Sequence, residues 1–213
     1  MYWDKLIGGI DEAGRGSIIG PLLIAGISIM KSEIPKLQSI GVKDSKLLTQ
    51  KARDKLYQFI IDIADSICVY RIECDEIDKN VFLKNLNKME AEVMAIVVNN
   101  IQAETIYVDS CDVNPLRFKE NIERRIASSP KLYCLHRADV VNGVVAAASI
   151  IAKVERDSAL QEIRNVYPEI GSGYPSDSNT MNFIKMWIAR YGQAPQFARK
   201  SWKPLKNMLQ NYI

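Results

Sequence analysis

The sequence predicts an α/β layer fold with a mixed sheet, followed by a small helical extension from about residue 176. Three observations point there. Short apolar runs of strand length come first in succession, and later runs alternate with segments of helical period. The last stretch, after a Gly/Pro/Ser-rich break, carries cations and no acids. With 213 residues, 47% hydrophobic and 25% charged, the chain has the make-up of a soluble globular protein that can bury a sizeable core without staples.

Residues 5–12 and 20–30 read as buried strands, separated by a glycine-rich turn. Thr49 is placed to cap a helix over 50–62, with Leu56, Phe59, Ile60 and Ile63 on one face. "SICVYRIE" reads as a third strand. A long helix is expected over 83–100, with Leu83, Leu86, Met89, Val93, Ile96 and Val97 at helical spacing. "ETIYVDS" is a strand ending at Asp109, 115–127 a helix opened by Pro115, and "KLYCLH" a strand just before Asp139. The segment from Val140 to Tyr167 is largely helical, with small residues on one face, as suits a helix packed on a sheet. "GSGYPSDSN" breaks it, and helices return near 179–190 and 203–211. The expected organisation is an α/β domain over 1–175 and a basic helical extension over 176–213.

Composition excludes several classes. No apolar run reaches the roughly 18–20 residues that span a bilayer, and "MYWDKLIGGIDE" lacks the pattern of a signal peptide, so a cytoplasmic protein with no membrane partner is expected. Cys68, Cys74, Cys111 and Cys134 form no C-x-x-C pair, which leaves free thiols rather than a zinc ribbon or a disulfide framework. His136 is the only histidine, so zinc hydrolysis of the H-E-x-x-H kind is excluded. The net charge of +3 conceals an asymmetry. Asp177 is the last acid, and Lys185, Arg190, Arg199, Lys200, Lys203 and Lys206 give the tail +6, leaving about −3 for the rest. This asymmetry implies a basic surface for an anionic partner, with carboxylates gathered elsewhere.

Asp11, Asp109 and Asp139 stand at or just beyond strand ends, where open α/β sheets place their sites, and Glu12 adjoins the first. Neighbours in a regular strand face opposite ways, so Asp11 and Glu12 share a site only if the chain bends, and Gly14 and Gly16 provide for that. At an effective dielectric of about 20, each carboxylate pair at roughly 4 Å repels by about 4 kcal/mol. Such a cluster either takes up protons or is neutralised by a cation, and an all-oxygen donor set suits Mg²⁺ or Mn²⁺. Taken singly, Asp109 and Asp139 also suit turn or capping roles, Asp139 for the helix after it. A dinucleotide site is rejected, because Gly14, Gly16 and Gly20 have the wrong spacing and Pro21 leads into a strand.

"GIDEAGRG" (9–16) is similar to the opening motif of the type 2 ribonucleases H. The match continues through "KDSKLLT" (43–49), "YVDSCDVN" (107–114), "HRADVVNGVVAAASIIAKVERD" (136–157), "GSGYPSD" (171–177) and "RKSWK" (199–203). The chain therefore resembles the archaeal ribonuclease HII branch over essentially its whole length. Ser17, Asn142, Gly143, Ser178 and Pro204 depart from the family pattern; none of them is a proposed ligand, and they bear on local loop geometry more than on catalysis.

The resemblance implies a ribonuclease H-like fold with a mixed five-stranded sheet flanked by helices. It implies metal-binding, catalytic carboxylates at Asp11, Glu12, Asp109 and Asp139, with two Mg²⁺ or Mn²⁺ ions acting in hydrolysis. The implied substrates are RNA–DNA hybrids and duplex DNA nicked 5′ to an embedded ribonucleotide, leaving 3′-hydroxyl and 5′-phosphate. Gly14, Arg15 and Gly16 would read the 2′-hydroxyl and Tyr174 would pack on the DNA-side sugar. Lys46, Ser149, Lys153, Arg199, Lys200 and Lys203 are further candidate nucleic-acid contacts, with simple packing as an equal reading for Ser149. The tail aromatics Trp187, Tyr191, Phe197 and Trp202 are expected to dock the tail helices rather than meet nucleic acid. A monomer is expected. A sliding clamp is a conceivable partner, but the terminal "NMLQNYI" carries no clear clamp-binding pattern.

Overall fold

The computed structural model describes residues 5–42 and 49–210. Its strands are β1 (Leu6–Ala13), β2 (Leu22–Met30), β3 (Ser66–Ile72), β4 (Thr105–Asp109) and β5 (Lys131–Leu135). They form one mixed sheet in the order β3-β2-β1-β4-β5. β1, β4 and β5 run parallel, in a register that pairs Ile10 with Val108 and Asp109 with Leu135. One residue past the Ile10–Val108 pair, Asp11 and Asp109 come level at the same sheet edge.

The helices are α1 (Ile34–Ser39), α2 (Gln50–Ile63), α3 (Cys74–Phe82), α4 (Leu86–Asn100), α5 (Pro115–Glu123), α6 (Ala138–Val141), α7 (Gly143–Val166), α8 (Ser178–Tyr191) and α9 (Lys203–Gln210). Among the described residues, no helix is long and apolar enough to cross a membrane. Thr49 caps α2 as expected, its hydroxyl accepting from the Ala52 N–H.

Three helical expectations are corrected. The helix expected from residue 83 begins at Leu86, because α3 precedes it and Lys84 takes φ 57°, a left-handed turn that separates the two. Leu83 and Ile96 are exposed, and the buried stripe is Met89, Val93, Met94, Val97 and Val98. The helix from Pro115 stops at Glu123. The helix expected from Val140 is two helices broken at Asn142, whose side-chain oxygen accepts from the N–H groups of Val144 and Val145. Asp139 therefore lies inside α6 and does not cap the long helix.

Packing groups the described residues into two units, 5–13, 24–42, 49–70 and 87–154 in the first, and 14–23, 71–86 and 155–210 in the second. The first has a core of Ile27, Ile29, Val144, Ala147, Ile150 and Ile151. The run of alanines in α7 fits a close approach to β1. An added Cβ on Gly9 would overlap the backbone of Val144 and Val145, so only glycine admits the helix there. The second unit packs Ile18, Ile19, Leu160, Ile184, Ile188 and Leu205 together.

Phe197 and Trp202 lie against that second core, and Trp187 stacks among Tyr167, Phe183 and Phe197. Trp187, Phe197 and Trp202 therefore pack within their own unit, as expected, while Tyr191 is exposed and lies against Trp187. The four cysteines are free thiols.

Candidate active site

The first unit gathers the acids. Asp11, Glu12 and Asp109 each present a carboxylate oxygen within 4.8 Å of the others. Parallel register explains Asp11 and Asp109, while Glu12 joins them from the next position of β1. The bend expected at Gly14 and Gly16 comes after the pair, since β1 runs on to Ala13 and Gly14 then turns with φ +88°. Asp11 Oδ1 folds back to accept the Glu12 N–H at 2.7 Å, which fixes its carboxylate at the strand end.

Asp109 Oδ1 accepts the N–H of Ala138, the first residue of α6, at 2.7 Å. The capping role open to Asp109 is thus realised, but for a helix 29 residues away in sequence. That bond holds α6 to the end of β4 and carries Asp139 towards the site. Asp139 is 5% exposed and adds to the repulsion on Asp11, although it stands outside the tight set of three. Next along the β4 loop, the buried Asp112 carboxylate accepts from Asn87, the Asn114 N–H and Arg117. Burial works against its charge, yet these bonds hold its carboxyl below the ordinary range.

Asp11 shows the electrostatic cost of the cluster. Burial first, then the Asp109 charge, push its carboxyl up to about 7, with Asp139 adding to them. Hydrogen bonds from the Ser149 side chain and the Glu12 N–H oppose the rise without cancelling it. A buried carboxylate held this far up, among two others with oxygen donors only, fits a hard divalent cation, whose charge would reverse the repulsion.

The other candidate residues fall into different places. The Ser149 side chain hydrogen-bonds to Asp11, a contact that the "AAASII" run does not signal. Lys153 is half-buried on α7, and His136 is exposed in the turn after β5. In the second unit Gly14 is buried, Arg15 half-buried and Gly16 exposed. Tyr174 lies with its ring 4.7 Å from the Arg156 guanidinium, which sequence reasoning passed over. Lys200 and Lys203 are exposed. Arg199 is a correction, being 0% exposed with its guanidinium bonded to backbone carbonyls and to the Cys74 side chain, so it cannot meet a phosphate. Lys46 lies outside the described residues.

Comparison with known proteins converges on one family. A family model described as Ribonuclease HII matches residues 8–205. The Ribonuclease HII of Cenarchaeum symbiosum is 44% identical over 201 residues, covering 94% of this chain and 97% of its own. The crystal structure of the ribonuclease H2 from Pyrococcus horikoshii superposes with a TM-score of 0.91 at 39% identity, covering 97% of this chain and 98% of that one. The RNase HII of Archaeoglobus fulgidus, solved in complex with PCNA, gives 0.86 at 37% identity, covering 93% of this chain and 95% of that one.

Proposed function

Because this chain belongs to the ribonuclease HII family, whose members are ribonucleases H, we propose that it is a divalent-metal-dependent endonuclease. It hydrolyses the RNA strand of RNA–DNA hybrids and nicks duplex DNA on the 5′ side of an embedded ribonucleotide, leaving 3′-hydroxyl and 5′-phosphate. The observation that carries this is the convergence of Asp11, Glu12 and Asp109, with Asp139 close enough to repel Asp11.

Those four residues would hold Mg²⁺ or Mn²⁺, which when bound supplies Lewis-acid stabilisation of charge on the attacking and leaving oxygens of the phosphodiester. The protein's own groups do the positioning. Ser149 and the Glu12 N–H hold the Asp11 carboxylate, and the Ala138 N–H holds that of Asp109. The Gly14–Arg15–Gly16 turn reads the 2′-hydroxyl, the group that distinguishes RNA from DNA. Tyr174, backed by Arg156, offers a flat face to a sugar. The exposed Lys185, Arg190, Lys200, Lys203 and Lys206 meet duplex phosphates. PCNA, with which the Archaeoglobus relative was solved, is the protein partner that the same reading proposes, and co-elution of the two proteins tests it.

The test is to offer a DNA duplex with one ribonucleotide, an RNA–DNA hybrid and plain DNA, each with Mg²⁺ or Mn²⁺ and then with chelator. Cleavage of the first two only in the presence of metal is expected. Cleavage of plain DNA, or activity that survives chelation, would refute the reading. Binding should also weaken steeply with salt. About five phosphate contacts predict a fall on the order of a hundredfold or more between 50 and 200 mM, and near-constant affinity would mean that the basic surface does not carry binding.

A further inference from the structure

Arg199 is the most fully buried cation of the second unit, and its partners are the Cys74 side chain and two carbonyl oxygens. Nη1 donates to Arg15 O at 2.9 Å, while Nε and Nη2 both donate to Gly20 O at 3.1 and 3.0 Å. Trp202 covers the guanidinium with its ring 5.0 Å away. Burial lowers its pKa to about 10, which leaves it charged at neutral pH. A buried guanidinium costs much in desolvation, and stability alone is often served as well by an apolar side chain. This one spans the two ends of a single short loop, residues 15 and 20.

The same loop is tied down elsewhere within the unit. Ile18 N–H and Ile19 N–H both donate to Gly173 O, at 2.8 and 3.1 Å, and Gly20 N–H donates to Phe197 O at 2.9 Å. Arg199 N–H donates to Ile18 O at 2.9 Å. Ser17 Oγ donates to Ile19 O at 2.6 Å. Gly173 directly precedes Tyr174, and Arg156, which lies over the Tyr174 ring, donates to Ser172 O. The loop with Arg15 and Gly16 and the loop with Tyr174 are therefore one braced piece.

We propose that Arg199 is a positioning residue for substrate discrimination, fixing the Arg15 carbonyl so that the Gly14–Arg15–Gly16 turn presents its backbone to a single ribose in one register. This rests on the proposed role of that turn in reading the 2′-hydroxyl. A long RNA run presents a 2′-hydroxyl at every step, so a loosened turn still finds one. An isolated ribonucleotide offers one position only, and loosening should penalise that substrate more.

The test is kcat/KM on a duplex with one embedded ribonucleotide and on a hybrid with a long RNA run, for the full chain, Arg199→Lys and Arg15→Ala. Lysine keeps the charge but cannot bridge both carbonyls. Its ratio of single-ribonucleotide to RNA-run activity is expected to fall about tenfold, the scale of one lost charge-assisted hydrogen bond. Trp202→Leu, which leaves the guanidinium and uncovers it, should shift the ratio the same way and carries the test if the lysine variant does not fold. A purely structural role would lower both activities alike. An unchanged ratio in the Arg199 or Trp202 variant, with a shifted one in Arg15→Ala, overturns the proposal and spares the reading of the turn. An unchanged ratio in all three overturns both.

Discussion

Asp11→Asn should lower cleavage by about a thousandfold or more while leaving the fold intact, and should make the metal-free protein more stable at neutral pH and above. The asymmetry stems from where the carboxylate sits. Asp11 is 5% exposed, and burial and Asp109 push its carboxyl up to about 7 from an ordinary value of 3.8. Below about pH 4 folded and unfolded chains are both protonated there, so folding is not penalised. As pH rises towards 7 the unfolded chain gives up its proton first, and the folded state loses stability on the order of 4 kcal/mol by the time it too has ionised. Asparagine does not titrate, so the variant should lack that part of the pH dependence. Thermal melts of the metal-free proteins from pH 4 to 8.5, beside activity assays, measure both effects. A variant that melts well below the parent at pH 8 would show that Asp11 serves the fold.

Divalent cation should act through the same group. Mg²⁺ or Mn²⁺ should raise the melting temperature of the parent protein more at pH 8 than at pH 5, because at the lower pH the cation must displace a proton. The Asp11→Asn protein should respond weakly at both. An equal shift in the two proteins would place the cation elsewhere.

Gly9→Ala should cost about 3 kcal/mol or more and lower activity with it, although Gly9 has no side chain to act. The added Cβ would overlap the main chain of Val144 and Val145, which cannot swing aside as a side-chain tip can. Relief requires α7 to withdraw from β1, and α7 carries Ser149, which holds Asp11. Circular dichroism with chemical denaturation reads the stability, and metal-dependent cleavage under folding conditions reads the site. Full stability in this variant would mean that the helix tolerates a wider gap.

Much of the architecture was legible along the chain because strand-length apolar runs and helical periods are local signals. The five strands, the Thr49 cap and the break before α8 all arise from residues close in sequence. Local signals mislead where one hides another. Leu83 and Ile96 fit the helical period, but a left-handed Lys84 sets Leu83 apart and Ile96 faces outwards. Asn142 interrupts a helix-forming stretch, its side chain taking up the first N–H groups of α7.

The sequence by itself determined which residue types are available: four acids at or just beyond strand ends, one histidine, a cationic tail and the order of motifs that marks the family. Tertiary structure alone decided which partners and how much burial each residue has. Parallel register brings Asp11 level with Asp109, Ala138 tethers Asp109 from a distant helix, and the Ser149 side chain reaches Asp11. Arg199 and Lys200 are neighbouring cations in one basic motif, yet one is sealed against carbonyls and the other is exposed. The reason is physical: charge and hydrogen-bonding capacity belong to the residue, but burial and partners belong to the packing.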